Sequence, residues 1–234
     1  SAVFAAGHEG KVSALDVDSG KLLWSTDLEA PLSGGVGYGG GLVMVGTIDA
    51  QVYALNGDDG SLVWTADVSS EILSSPQSNG EVVVVQTIDN KLFALDASTG
   101  EMLWQHSGDS PILTVRGIGE AIVTDNMVIS GFDSGKLIAF NPDNGSLIWE
   151  GRMALPKGRT ELERMVDIDG APLLVGDVIY SVTFQGRLGA MSRGTGRSLW
   201  FQDSSSHSSP AHSHGQVFVS EEEDRVRAFD AGSG

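Results

Sequence analysis

The residues that could do chemistry are few and scattered. His207, His212 and His214 fall within eight positions, close enough in sequence for imidazoles to share a zinc ion. The surrounding Ser204-Ser205-Ser206-His207-Ser208-Ser209-Pro210 reads instead as a loop leading to a strand, and neither a cysteine nor a matching acidic ligand accompanies it. Asp16 with Asp18, and Asp167 with Asp169, are Asp-x-Asp pairs of a kind that binds divalent cations, but the first falls in a hairpin turn, where solvated carboxylates are expected. Glu221-Glu222-Glu223-Asp224 reads as a solvated hairpin tip. There is no Gly-x-Ser-x-Gly elbow, no glycine-rich phosphate loop and no His-Glu-x-x-His run. The expectation is a protein with no catalytic, metal or cofactor site.

What must position any site is a repeat. The stretch Ala94-Leu95-Asp96-Ala97-Ser98-Thr99-Gly100-Glu101-Met102-Leu103-Trp104 has relatives at Ala14-Leu15-Asp16 to Trp24, Ala54-Leu55-Asn56 to Trp64, Ala139-Phe140-Asn141 to Trp149 and Ala190-Met191-Ser192 to Trp200. The five tryptophans lie 40, 40, 45 and 51 residues apart, a period that marks a repeat architecture. Apolar alternation on both sides of the motif is of strand type. Asp or Asn accepting from nearby amides, with a glycine free to take positive φ, makes the link a hairpin turn. A tryptophan in fixed register brings a large apolar area and one N–H needing a partner. Trp24, Trp64, Trp104, Trp149 and Trp200 therefore read as fastenings between repeats. A sixth copy begins at Ala228-Phe229-Asp230, so the sequence reads as cut inside a repeat.

Composition bounds the class. The 234 residues are 41% hydrophobic with 31 glycines, which suits a core crossed by many turns better than long helices. No apolar run approaches the ~18 residues of a membrane-spanning helix. There is no cysteine, and a net charge of −17 repels nucleic acid and anionic membrane surfaces. Proteins are the expected partners. Units of four strands are expected over about 31–68, 71–107, 111–153 and 169–203, with partial units at 1–28 and 206–234. The run Val82 to Val85 predicts a strand buried on both faces. About 22 strands in an all-β propeller of four-stranded antiparallel blades give an expected open arc of about five and a half blades.

Two segments depart from the period. Five residues are added between Trp104 and Trp149, around Pro111 to Gly119, and eleven between Trp149 and Trp200. The second addition holds four of the fourteen basic residues within thirteen positions. Thr160 followed by Glu163 has the pattern of a capping box, which predicts a short helix near 161–165 within an insert at 154–168.

The repeat resembles the pyrroloquinoline-quinone-type propeller repeat, Ala-x-Asp-x-x-Thr-Gly-x-x-x-Trp, matched in full at Ala94 to Trp104. That resemblance speaks for the fold and little for chemistry, since most proteins carrying the repeat bind no quinone. A second signature is longer. Pro156-Lys157-Gly158-Arg159-Thr160-Glu161-Leu162-Glu163-Arg164, continuing through Asp167 and Asp169 to Pro172, together with Leu113-Thr114-Val115-Arg116-Gly117, resembles the BamB family of outer-membrane assembly lipoproteins. The resemblance implies a non-enzymatic eight-bladed propeller, held by an amino-terminal lipid at the periplasmic face of the outer membrane. It implies binding to the POTRA domains of BamA, the barrel-forming subunit, and help in receiving unfolded outer-membrane proteins. By the same resemblance Leu113, Val115, Arg116, Asp167 and Asp169 are the partner-binding residues, with Val115 standing where a leucine is usual.

Read without the family, Leu113 and Val115 share one side of a strand with Arg116 at its end, and Asp167 and Asp169 share another side. Such a set suits an apolar interface centre with a polar rim. It equally suits ordinary blade core, with Arg116 paired internally to Asp167 or Asp169. Two other functions compete with the assembly factor: a fragment of a quinoprotein dehydrogenase holding pyrroloquinoline quinone and calcium, and a sensory or scaffold propeller of another multidomain protein.

Overall fold

The computed structural model describes residues 1–108, 119–154, 166–221 and 224–234. The helix expected near 161–165, like Leu113, Val115 and Arg116, lies outside the described residues. Among those described, the chain forms 22 strands in six antiparallel sheets. The first sheet has β1 (Ala2–Ala6), β2 (Lys11–Asp16) and β3 (Leu22–Asp27). The second has β4 (Gly37–Gly39), β5 (Leu42–Gly46), β6 (Gln51–Asn56) and β7 (Leu62–Asp67), and the third β8 (Gln77–Ser78), β9 (Val82–Thr87), β10 (Lys91–Asp96) and β11 (Met102–Ser107). The fourth comprises β12 (Ile122–Thr124), β13 (Met127–Phe132), β14 (Lys136–Phe140) and β15 (Leu147–Arg152). The fifth holds β16 (Leu173–Val175), β17 (Val178–Val182), β18 (Arg187–Ser192) and β19 (Ser198–Asp203), and the sixth β20 (Ala211–Ser213), β21 (Gln216–Glu221) and β22 (Arg225–Asp230). In every sheet the strands neighbour one another in chain order. The chain falls into two compact units, Ser1–His106 with Val123–Asp125, and Ser107–Ile122 with Asn126–Gly234.

The repeated motif acquires its physical reasons here. In four sheets the tryptophan pairs across the ladder with the motif's alanine, as Ala14 with Trp24, Ala54 with Trp64, Ala139 with Trp149 and Ala190 with Trp200. A small residue opposite leaves room for the indole. Directly after each of these alanines the register shifts by a bulge, which sharpens the local twist before the turn. The turn itself is closed by the polar residue: Asp96 Oδ1, for example, accepts from the amides of Ser98 and Thr99 at 2.9 Å each. Gly100 follows with φ +75°, a conformation that L side chains rarely adopt.

Each described fastening ties a tryptophan to the next sheet of its own unit. Trp24 Nε1 donates to Gly57 O at 3.0 Å, Trp64 to Ala97 O at 2.8 Å, Trp149 to Arg193 O at 2.7 Å and Trp200 to Ala231 O at 3.1 Å. The six-membered side of the same ring lies on the next motif's glycine. A Cβ at Gly60, Gly100, Gly196 or Gly234 would come within 2.4 to 2.9 Å of Trp24, Trp64, Trp149 or Trp200 respectively. The glycine is thus both the turn residue and the seat of its neighbour's indole. Within each unit apolar side chains pack between sheets, with Met44, Ile72, Val83 and Leu95 in one cluster of the first unit and Ile129, Leu137, Ile168 and Ile179 in one of the second. All six residues of β9 are buried, so that strand is covered on both faces.

Candidate functional site

Among the described residues, four linkers between successive sheets each have one buried residue as an anchor against the preceding sheet. Leu32, Ile72, Ile168 and Ser206 hold this place and all are buried. Ile72 lies over Gly46 and Ile168 over Gly131, in each case so closely that a Cβ on the glycine would fall 2.4 to 2.5 Å from the isoleucine Cγ2. The residue before the anchor offers its carbonyl to a hairpin: Pro31 O accepts from Ile48 N, Glu71 O from Ile88 N and Asp167 O from Phe184 N. Asp167 is therefore the counterpart of Glu71, and Asp169, one past the anchor, the counterpart of Leu73.

At the linker anchored by Ile168 the environment changes character. Asp167 is fully buried and Asp169 is 8% exposed. Both carboxylate oxygens of Asp169 and the Oγ of Ser134 are buried with no hydrogen-bond partner among the described residues. Asp133, at the turn between β13 and β14, completes the group. Burial, then the charge of Asp167, then that of Asp169, push the Asp133 carboxyl up to about 7. Burial and the Asp167 charge push Asp169 to about 7 as well. The charges of three carboxylates thus act on one another at this linker. Among the described residues there is no group of three His, Asp or Glu side chains that could hold a metal ion.

Of the sequence-derived site residues, Asp167 and Asp169 come together, and they lie inward rather than on the solvated rim that an exposed interface would have. Leu113, Val115 and Arg116 fall outside the described residues. Asp133 and Ser134 were not singled out by the sequence. The signal was available in the alignment of turns: Ile48, Ile88 and Phe184 occupy the place of Asp133, and only here is it charged among those four turns.

The other candidates resolve differently. His212 stacks on Tyr180 with ring centroids 6.4 Å apart, and His214 Nδ1 shares a hydrogen bond with its neighbour Ser213. Asp16 and Asp96 close turns, and hydrogen bonds from Ser19 and Ser98 first of all hold their carboxyls below the usual range. Glu221 corrects the expectation of a solvated tip. Its side chain is 7% exposed, accepts from Ser204 Oγ at 2.8 Å and from Arg227 Nη1 at 3.0 Å, and pairs with Arg225 at 3.3 Å. Burial raises its pKa, but those hydrogen bonds and the two arginine charges outweigh burial and hold it below its ordinary value. A run of acids at a turn is solvated only where no cations lie across the ladder, and here Arg225 and Arg227 do.

A family model described as outer membrane protein assembly factor BamB matches residues 8–234. The outer membrane protein assembly factor BamB of Pseudomonas aeruginosa is 57% identical over 231 residues, covering 99% of this chain and 61% of that protein. The factor of the same name from Kangiella koreensis is 50% identical over 228 residues, covering 97% and 59%. This chain spans about three-fifths of the length of these curated relatives. The crystal structure of BamB from Moraxella catarrhalis superposes with a TM-score of 0.93 at 28% identity, over 100% of this chain and 71% of that one. The sheets are accordingly propeller blades, and the chain belongs to the BamB family of outer membrane protein assembly factors.

Proposed function

We propose that the chain is part of a non-enzymatic scaffold subunit of the outer-membrane protein assembly complex, lipid-anchored at the periplasmic face, which binds the POTRA domains of BamA and assists delivery and insertion of β-barrel proteins. The observation that carries the reading is the acidic linker. Asp167 and Asp169 are buried carboxylates inside the longer of the two sequence signatures shared with the family. A cluster of buried carboxylates has the character of a recognition element for a basic surface. The names borne by the relatives favour this reading over a quinoprotein dehydrogenase and over a sensory propeller.

Calorimetry of the full-length protein with the isolated POTRA domains of its cognate BamA tests it. Wild type binds. Arg116→Ala, and the double variant Asp167→Ala with Asp169→Ala, weaken binding by about tenfold or more while their far-ultraviolet spectra stay those of the folded sheets. A folded wild-type protein that shows no binding overturns the reading.

A further inference from the structure

Between the first and second sheets lies a cleft of about 690 Å³, whose lining includes Phe4, Leu23, Tyr38, Gly57 and the carboxylates of Asp16 and Asp58. All of these residues belong to the first compact unit. Ligand sites commonly span roughly 300 to 1,000 Å³. The cleft is a product of sequence, because the repeat carries larger groups at the same places elsewhere. Opposite the polar residue of the turn motif, β1 places Ala2 where four other sheets place Leu42, Val82, Val178 and Gln216. The carbonyl that receives the Trp24 N–H belongs to Gly57, whereas Ala97, Arg193 and Ala231 serve Trp64, Trp149 and Trp200. Opposite the motif's alanine, Phe4 holds the place of Tyr180, whose hydroxyl donates to Ala231 O at 2.9 Å. Phe4 has no hydroxyl to reach Gly57 in this way.

An aromatic wall and two carboxylates share this space. Tyr38 stacks on Phe4 with ring centroids 4.9 Å apart and planes 25° from parallel, and Phe4 lies 5.9 Å from Trp24. Gly57 makes room for the stack, since a Cβ there would fall 3.1 Å from the Tyr38 ring. Tyr38 is nonetheless 60% exposed. Asp16 Oδ1 accepts from Ser19 N at 2.9 Å and from Ser19 Oγ at 2.6 Å. Those bonds first of all, with the Ser1 amino charge acting in the same direction, hold its carboxyl below the usual range. The Asp58 side chain is exposed and has no hydrogen-bond or ion-pair partner among the described residues. Residues 1–106 hold fourteen Asp and Glu against Lys11, Lys21 and Lys91, and Lys91 is paired with Asp89 at 2.6 Å.

We infer that this cleft receives an arginine side chain of a bound polypeptide, stacked on the Tyr38 ring and paired with Asp58. The chain makes the stacking contact for itself elsewhere: Arg187 lies over Phe201 at 3.8 Å and Arg227 over Phe229 at 4.6 Å. Residues 1–106 contain no arginine, so at Tyr38 the guanidinium comes from outside. A planar, weakly hydrated guanidinium can lie flat on a ring and still meet a carboxylate in two parallel hydrogen bonds, which an ammonium cannot do. An apolar side chain in the same place would leave Asp58 partly desolvated and unpaired. A net charge of −17 draws cationic segments toward the surface as a whole, and the cleft gives one of them a seat. The inference goes beyond the assembly reading and does not depend on which complex the chain serves.

The test titrates full-length protein, its tyrosine rings isotope-labelled, with acetyl-Gly-Arg-Gly-amide and with the same peptide carrying norleucine, followed by nuclear magnetic resonance. The arginine peptide shifts the Tyr38 ring signal and binds about fivefold or more tightly than the norleucine peptide. Tyr38→Leu identifies that signal by its loss and preserves the fold, since the fifth sheet has Leu174 at the same ladder position. Ala2→Leu installs the residue type of Leu42 and closes the cleft. It weakens arginine-peptide binding about fivefold or more while the thermal unfolding midpoint stays at or above that of wild type. Asp58→Asn keeps the shape, weakens binding about threefold or more and flattens its salt dependence. Absence of a Tyr38 shift across the millimolar range, equal binding of the norleucine peptide, or an Ala2→Leu protein that binds as wild type does overturns the inference.

Discussion

At Gly100 two demands fall on one residue: a φ of +75°, and an indole so close that any Cβ would lie 2.7 Å from the Trp64 ring. Gly100→Ala therefore strains the turn and pushes Trp64 off its seat, weakening the hydrogen bond to Ala97 O. The two costs together come to about 2 to 4 kcal/mol. Gly176, with φ +58° and open space around it, carries only the first demand, and Gly176→Ala costs about 1 kcal/mol. Urea unfolding of the two variants beside wild type checks the difference, and equal losses would show that the indole seat contributes nothing. This also marks how far the sequence was legible. The regular spacing of Gly60 and Trp64 or Gly100 and Trp104 announces a hairpin and a fastening. That each glycine serves the tryptophan of the preceding repeat is a contact between residues some 36 positions apart, which periodicity alone cannot pair.

Among elements, the linkers decide which parts of the repeat are free to vary. Their anchor is solved in two ways. Ile72 fills the notch over Gly46 with no exposed surface, whereas Ser206 holds the same place through a hydrogen bond from its Oγ to Ser220 O at 2.7 Å and one accepted from Ser208 N at 3.0 Å. Ile72→Ala opens a cavity in a core that cannot collapse onto a glycine-lined strand, at a cost of about 2 to 5 kcal/mol. Ser206→Ala loses both modest hydrogen bonds and leaves one acceptor and one donor unmet, about 1 to 2 kcal/mol. Thermal unfolding of both variants measures the ranking, and a larger loss at Ser206 would show that the linkers are held by their polar contacts. The strands and turns were readable because each rests on local pattern, as in the unbroken run of β9. The linkers were not, because Asp169 and Leu73 are equivalent only through the hairpins they cross. Asp133 did not stand out for the same reason, and Glu221 read as part of a solvated tip.

For the molecule as a whole, these carboxylates set the pH at which it is most stable. Asp133 and Asp169 titrate near 7 in the folded chain against 3.8 for an unperturbed aspartate, so the native state holds the extra protons between those values. By linkage, the stability they confer is complete below about pH 4 and is lost as pH rises through 7. Asp16, Asp96 and Asp230 act in the opposite sense: their pKa values are lowered by hydrogen bonds in the turns, so what they contribute is present above 3.8 and fades as pH falls. The balance places maximal stability on the acid side of neutrality. Moving from about pH 5.5 to about pH 8 is expected to cost roughly 2 kcal/mol through the buried trio, a fall of about 4 to 8 °C in unfolding midpoint for a chain of this size. A net charge of −17 also disfavours the compact state as pH rises, but that repulsion lies at the surface and is screened at about 0.5 M salt, while the trio is not. The pH slope that survives high salt therefore belongs to Asp133 and Asp169. Asp169→Asn, which keeps the shape and cannot ionise, should raise the midpoint more at pH 8 than at pH 5.5, and so remove about half of that residual slope. A wild-type midpoint flat across this range in high salt, or an Asn variant with the same slope as wild type, would mean that the three carboxylates do not share a buried field.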